Sequence, residues 1–174
     1  MATTRLMPLH TGKGRTVGQA ISAIIDYTEN PQKTDGGRLI TSWQCDSRIA
    51  DAEFLFTKNQ YIQKTGRVRG EDDVIAYHLR QSFVPGEITP ELALEIAKEF
   101  AQEHLPGYQA VIGVHVDKEH IPAHILFNSV NADTGEKYHS NAQSYYRQIR
   151  AISDRLCRAH GLSVILEGQG ARAV

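Results

Sequence analysis

Two apolar runs, QAVIGVHV (109–116) and AHILFNSV (123–130), are separated only by DKEHIP. Each has the length and composition of a strand, and the connection is too short to hold a crossover helix. The two strands therefore pair antiparallel. A third run, VIAYHLRQSF (74–83), has the same character. Period-two alternation puts Ile75, Tyr77, Leu79 and Phe83 on one of its faces and His78, Arg80 and Ser82 on the other. In the same way Ala110, Ile112 and Val114 oppose Val111, Gly113 and His115, while Ile125 and Phe127 oppose His124, Leu126 and Asn128. Each strand has a mainly apolar side, and the other sides together carry His78, Arg80, His115, His124 and Asn128.

Helical signals alternate with these strands. Thr16 and Gln19 form a capping box that opens a helix with Ile21, Ile24 and Ile25 as its buried stripe. That helix reaches Tyr27 and breaks at Asn30-Pro31. A second helix is expected over 47–64, after a strand in GRLITSWQCD (37–46). Thr89-Pro90 starts a third, with Leu92, Ile96 and Phe100 on one side. Ser140 with Gln143 reads as another capping box, and Tyr145, Ile149, Ile152 and Leu156 share a face until Gly161 ends the helix. With a short strand over 5–10, the pattern predicts an α/β sandwich with an antiparallel sheet, one face covered by helices and the other partly open.

At 174 residues and 41% hydrophobic content, the chain suits a single domain spanning 1–174 with a real core. The last residues, EGQGARAV (167–174), read as a frayed tail or a truncation point, consistent with the N-terminal part of a longer protein. No stretch approaches a membrane span, and two cysteines make no disulfide framework, so a cytoplasmic location is expected. The net charge of −1 exerts no global pull on nucleic acid, but the charge is uneven. Over 137–158, Lys137, Arg147, Arg150, Arg155 and Arg158 stand against Asp154 alone, and a basic end of this kind can bind a polyanion. Over 87–103, five glutamates stand against Lys98. TGKGR (11–15) is not a phosphate-binding P-loop, since Gly14 follows Lys13 where a hydroxyl residue is required.

His115 and His124 lie at facing ends of consecutive strands, so their imidazoles can converge, and Asp117 is placed to accept an imidazole N–H. Two histidines and an aspartate do not close a metal site, and solvent-exposed hairpin histidines are the alternative. An imidazole-rich set suits Mn²⁺, Zn²⁺ or Ni²⁺ better than Mg²⁺.

Taken together, IIDYTENPQKT (24–34), YHLRQSFVPGEITPE (77–91), HVDKEHIPAHILFNSVN (115–131), TGEKYHSN and SYYRQIRAISDRLCRAHGLSVI (144–165) resemble the relaxase/mobilisation nuclease family of the HUH endonucleases, and most nearly relaxases of integrative and conjugative elements. The likeness spans nearly the whole chain. It implies a two-layer α/β fold of ferredoxin-like palm type, with about five mainly antiparallel strands and helices on one face. It implies a metal-dependent, site-specific single-strand DNA endonuclease that nicks an origin of transfer through a phosphotyrosine intermediate and so initiates conjugative mobilisation. The expected partners are origin DNA, an accessory mobilisation protein and the conjugative transfer machinery, without a membrane. The cofactor is a divalent metal ion, Mn²⁺ or Mg²⁺ first.

Carried onto this chain, the resemblance makes Tyr27 the nucleophile and His115 and His124 metal ligands. The usual H-I-H-N-H run reads H-I-P-A-H here, so Pro122 stands where a further ligand is expected, and His120 is a candidate substitute. Asp117 or His120 is expected to take the phenolic proton. His78, Arg80, Lys137, Tyr146, Arg147 and Arg150 are the candidate DNA contacts, with Lys13, Arg15 and Lys33 expected near the nucleophile. The alternative function is an origin-recognising DNA-binding module that cuts weakly or not at all. A small-substrate metal hydrolase is a weaker reading, since it leaves the basic C-terminal helix unexplained.

Overall fold

The computed structural model describes residues 2–165, so the tail read above as frayed or truncated lies outside the described residues. Five strands, β1 (Thr3–His10), β2 (Ile40–Trp43), β3 (Val74–Phe83), β4 (Ala110–Val114) and β5 (Ile121–Asn128), form one sheet in the order β1-β3-β5-β4-β2. Every neighbouring pair is antiparallel. The hairpin legible in the sequence, β4 with β5, lies near the middle of the sheet.

The helices are α1 (Val17–Thr28), α2 (Ala50–Thr65), α3 (Pro90–His104), a short α4 (Ala142–Ser144) and α5 (Ala151–Ala159). A π-helical turn, Tyr145–Arg150, joins the last two. α1 starts at the expected capping box, where the Thr16 hydroxyl accepts from the Gln19 backbone N–H and Gln19 returns the bond. α3 starts at Thr89 with Pro90 in its first turn. The last capping box is one residue later than expected, Asn141 with Ser144, because Asn141 has the extended backbone that a cap needs.

One face of the sheet, carrying Leu79, Ile112, Ile125 and Phe127, packs against Ile96, Ala97 and Phe100 of α3 and Leu156 and Cys157 of α5. Phe100 and Phe127 are fully buried there, each contributing roughly 1.5–3 kcal/mol of apolar transfer free energy. The helices do not keep to this face. α1 and α2 cover part of the other, where Ile21, Ile25 and Phe54 meet Ala76, Val111 and Leu126. Asn128, expected on the open side, pins α2 instead, donating its amide to the Phe54 carbonyl at 3.1 Å. Ile75 also joins this second core, contrary to simple alternation, because the β1–β3 register shifts between Leu9 and His10. The part of the second face left uncovered lies beyond the C-terminal end of α1. No helix among the described residues is long and apolar enough to cross a membrane.

Candidate active site

Three strands deliver imidazoles to the uncovered face. In β5, His124 stands opposite Arg80 on one side and Gly113 on the other. Residues directly opposite share a face, and His78, two before Arg80, shares it too. His115 follows the last residue of β4, held by its N–H to the Pro122 carbonyl at 3.1 Å. The His115 and His124 ring centroids are 4.1 Å apart and those of His78 and His124 are 4.8 Å apart. His78 Nε2 and His124 Nδ1 form a hydrogen bond of 2.6 Å.

His115 Nε2 lies 3.1 Å from the Thr28 carbonyl oxygen. A carbonyl only accepts, so this nitrogen carries the proton and Nδ1 keeps its lone pair. The N–H acceptor is thus Thr28, and not Asp117 as the spacing had suggested. His115 and His124 are 3% and 4% exposed. Burial disfavours the imidazolium form. It lowers His115, and together with Arg80 and His115 it pulls His78 down to about 4. Burial and the charges of His115 and His78 take His124 to about 2. Near neutral pH the cluster is therefore a set of uncharged imidazoles, the form that ligates metals.

Tyr27 sits at the end of α1 and is 47% exposed. Its centroid lies 5.4 Å from His115, 5.8 Å from His124 and 6.4 Å from His78. Lys33 Nζ is 4.8 Å from the Tyr27 ring centroid. The helix end comes this close because β4 offers a glycine: a Cβ on Gly113 would overlap the Thr28 carbonyl. A cavity of about 510 Å³ opens in front, lined among others by Tyr27, Lys33, Arg80, Asp117, His120 and His124.

The structure thus brings Tyr27, Lys33, His78, Arg80, His115 and His124 together, with exposed Asp117 and His120 on the rim. Tyr146 and Arg150 line a smaller adjoining cavity that shares Thr3 with the first, and Arg147 is exposed on the same turn. Lys13 and Arg15 are not near Tyr27. They follow His10 at the far end of β1, beside Glu71 and Asp73, and the twelve residues of α1 separate the two ends by about 18 Å. Lys137 is also elsewhere, bonded to Asp73 at 2.9 Å. Sequence reasoning missed Arg5, which the register sets directly opposite Arg80. His78, expected among the DNA contacts, lies against His124 on the face that the alternation assigned to it.

The donor set consists of imidazoles and fits a borderline divalent cation such as Mn²⁺ or Zn²⁺ better than Mg²⁺. Among the described residues, no three His, Cys, Asp or Glu side chains are grouped so as to hold a metal ion. His78 and His124 share a proton, and His115 gives one nitrogen to Thr28.

Residues 27–162 match the family model "Relaxase: MobA/VirD2-like, nuclease domain". The chain is 35% identical over 168 residues to protein rlx of Staphylococcus aureus, covering 97% of this chain and 46% of that protein. It thus spans about half the length of that relative. Among solved structures it is similar to the MobM relaxase domain bound to pMV158 oriT DNA, with a TM-score of 0.63 and 14% identity over 99% of this chain and 94% of the other. A Mn-bound crystal structure of the same domain with oriT DNA also has a TM-score of 0.63, at 11% identity over 99% and 93% of the two chains.

Proposed function

This chain belongs to the family of MobA/VirD2-like relaxase nuclease domains, and on that footing we propose that it nicks one DNA strand at an origin of transfer through Tyr27. The observation that carries the reading is the Tyr27 ring, half exposed and within 6.4 Å of all three clustered imidazoles, at the mouth of a cavity with Lys33 and Arg80. The MobM domains of similar fold are bound to oriT DNA, and some also hold Mn.

In the reaction, the Tyr27 phenolic oxygen attacks the scissile phosphorus in line with the 3′ oxygen of the preceding nucleotide. The new bond joins Tyr27 to the 5′ phosphate. The bond to the 3′ oxygen breaks, and that oxygen leaves as a hydroxyl after taking a proton. The phenolic proton passes to Asp117 or His120 on the rim. Lys33, beside the ring, favours the developing phenolate. His78, His115 and His124 would hold a divalent ion, which offsets the charge on the non-bridging phosphate oxygens when bound. The phosphotyrosine ester conserves the bond energy, so the 3′ hydroxyl can later reverse the step.

The single strand follows the uncovered face. Arg5 and Arg80 stand opposite each other, a like-charge pairing that is unfavourable unless a polyanion lies across it. Tyr146 is 60% exposed and carries Arg150 at 5.9 Å from its ring centroid, which suits base stacking beside a phosphate. An accessory mobilisation protein and the transfer machinery are further proposed partners, and the cytoplasm the proposed location.

A second reading, an origin-binding module with weak cleavage, is favoured by Pro122, whose side chain lines the cavity without a donor atom. The two are separated by incubating the protein and Mn²⁺ with single-stranded oligonucleotides tiled across the DNA flanking its own coding sequence. A denaturation-resistant protein–DNA band that disappears in Tyr27→Phe supports nicking. Tight binding with no such band supports the module.

A further inference from the structure

We propose that the loop between β1 and α1 is a phosphate-binding site, gripping a backbone phosphate of DNA at a point remote from Tyr27. The choice of DNA as the source of that phosphate rests on the nicking reading above, whereas the site itself does not.

The loop runs from Thr11 to Arg15, between the end of β1 and Thr16, the N-cap of α1. It borders a cavity of about 350 Å³, lined by Thr11, Gly12, Gly14, Arg15, Thr16 and Val17 on one side and by residues between Ile62 and Asp73 on the other. Gly12 and Gly14 adopt φ of 85° and 72°, a left-handed backbone that glycine takes readily. Two anchors fix the base of the loop. The Thr11 N–H donates to the Asp73 carbonyl and the Gly12 N–H to the Glu71 carbonyl, each at 3.1 Å. Beyond them, the N–H groups of Lys13, Gly14, Arg15 and Val17 have no acceptor among the described residues. They lie at the positive end of a twelve-residue helix, where anions are favoured.

Thr11 supplies the independent sign of a ligand. It lines the cavity but is only 5% exposed, and its hydroxyl has no hydrogen-bond partner among the described residues. A buried hydroxyl left this way is costly unless something outside the protein completes it. A phosphate oxygen entering the cavity would accept from it, as from the free N–H groups. Lys13 and Arg15 are exposed, as are Arg67 and Arg69 flanking Val68 on the opposite wall, against the carboxylates of Glu71 and Asp72. Asp73 adds little repulsion, because it is paired with Lys58 and Lys137. Local charge therefore favours an anion. A nucleoside triphosphate is the poorer fit, since Gly14 follows Lys13 where such loops carry a Mg²⁺-binding hydroxyl. Single phosphates spaced along a strand suit the loop instead. The length of α1 sets that phosphate about 18 Å from Tyr27, roughly five base pairs of duplex rise.

The test uses the full chain, with inorganic phosphate, ATP and the tightest-binding of the tiled oligonucleotides as probes. Inorganic phosphate should shift the NMR amide signals of Gly14, Arg15 and Val17, and the oligonucleotide should shift the same signals. Thr11→Val should melt at the wild-type temperature or above, since no internal hydrogen bond is lost. It should nevertheless bind both probes about tenfold more weakly. Arg15→Ala should lower the salt slope of oligonucleotide affinity by about one. Wild-type affinities in Thr11→Val, or loop amides that ignore inorganic phosphate, overturn the proposal. Tighter binding of ATP than of the oligonucleotide at the loop, or a response to phosphate with none to DNA, overturns DNA as the source. Tyr27→Phe should respond at the loop as the wild type does, so loss of the adduct and loss of the loop response are separate results.

Discussion

The carbonyl oxygen of Thr28 rests on Gly113, at a point of β4 where no side chain fits. This contact seats the end of α1 on the sheet, and with it the Tyr27 ring above His115 and His124. Gly113→Ala should push Thr28 outward, costing about 1–3 kcal/mol of stability as overpacking does. Adduct formation should fall by tenfold or more, since a misplacement of 1 Å is worth that much in an aligned reaction. DNA affinity should change little. Urea denaturation, adduct yield and filter binding check the three parts separately.

Glu29 closes α1 and leaves its Oε1 buried without a hydrogen bond among the described residues. Burial, then the charges of Asp26, Asp51 and Asp46, raise its carboxyl from 4.5 to about 7. The folded protein therefore holds a proton between pH 4.5 and 7 that the unfolded chain has lost. Stability associated with this group is full below pH 4.5 and declines as pH rises through 7. Glu29→Gln should be the more stable protein at pH 8, by on the order of 1 kcal/mol after allowance for solvent screening. The advantage should vanish near pH 4. Thermal melts of the pair across that range test the sign.

Asp73 is 4% exposed and bridges Lys58, itself 1% exposed, and Lys137. Burial alone would raise its carboxyl, but the hydrogen bonds from the two lysines hold it below the usual range. Asp73→Asn strands Lys58 without a counter-charge and should cost about 3–5 kcal/mol. Denaturation followed through Trp43 fluorescence measures it.

Tyr146→Ala should weaken single-stranded DNA binding by about 1–3 kcal/mol, the worth of one stacked base. The slope of affinity against salt should stay unchanged, since no phosphate contact is removed. Arg80→Ala should instead lower that slope.

Local chemistry made much of the fold legible. Thr16 with Gln19 and Thr89 with Pro90 mark helix starts because their side chains act within one turn. The β4–β5 hairpin is legible because its connection is short. Long-range register is not written in any local pattern. Nothing near His78 in sequence says that β3 lies beside β5, so its meeting with His124 appears only in the folded sheet. Arg5 was hidden for the same reason, since its place is set by Arg80 across the strand pairing. Lys13 and Arg15 were misplaced because they precede Tyr27 closely in sequence, while α1 carries the chain to the other end of the sheet. Gly113 shows as a gap in an apolar run, and only the approach of α1 gives that gap a purpose.

Joining of Tyr27 to DNA is measured by peptide mapping of the trapped adduct. After nuclease trimming and proteolysis, mass spectrometry should find a nucleotide phosphate on the peptide containing Tyr27 and on no other. A modified peptide carrying Tyr145 or Tyr146 instead, or cleaved DNA with no protein attached, would rule out Tyr27 as the nucleophile.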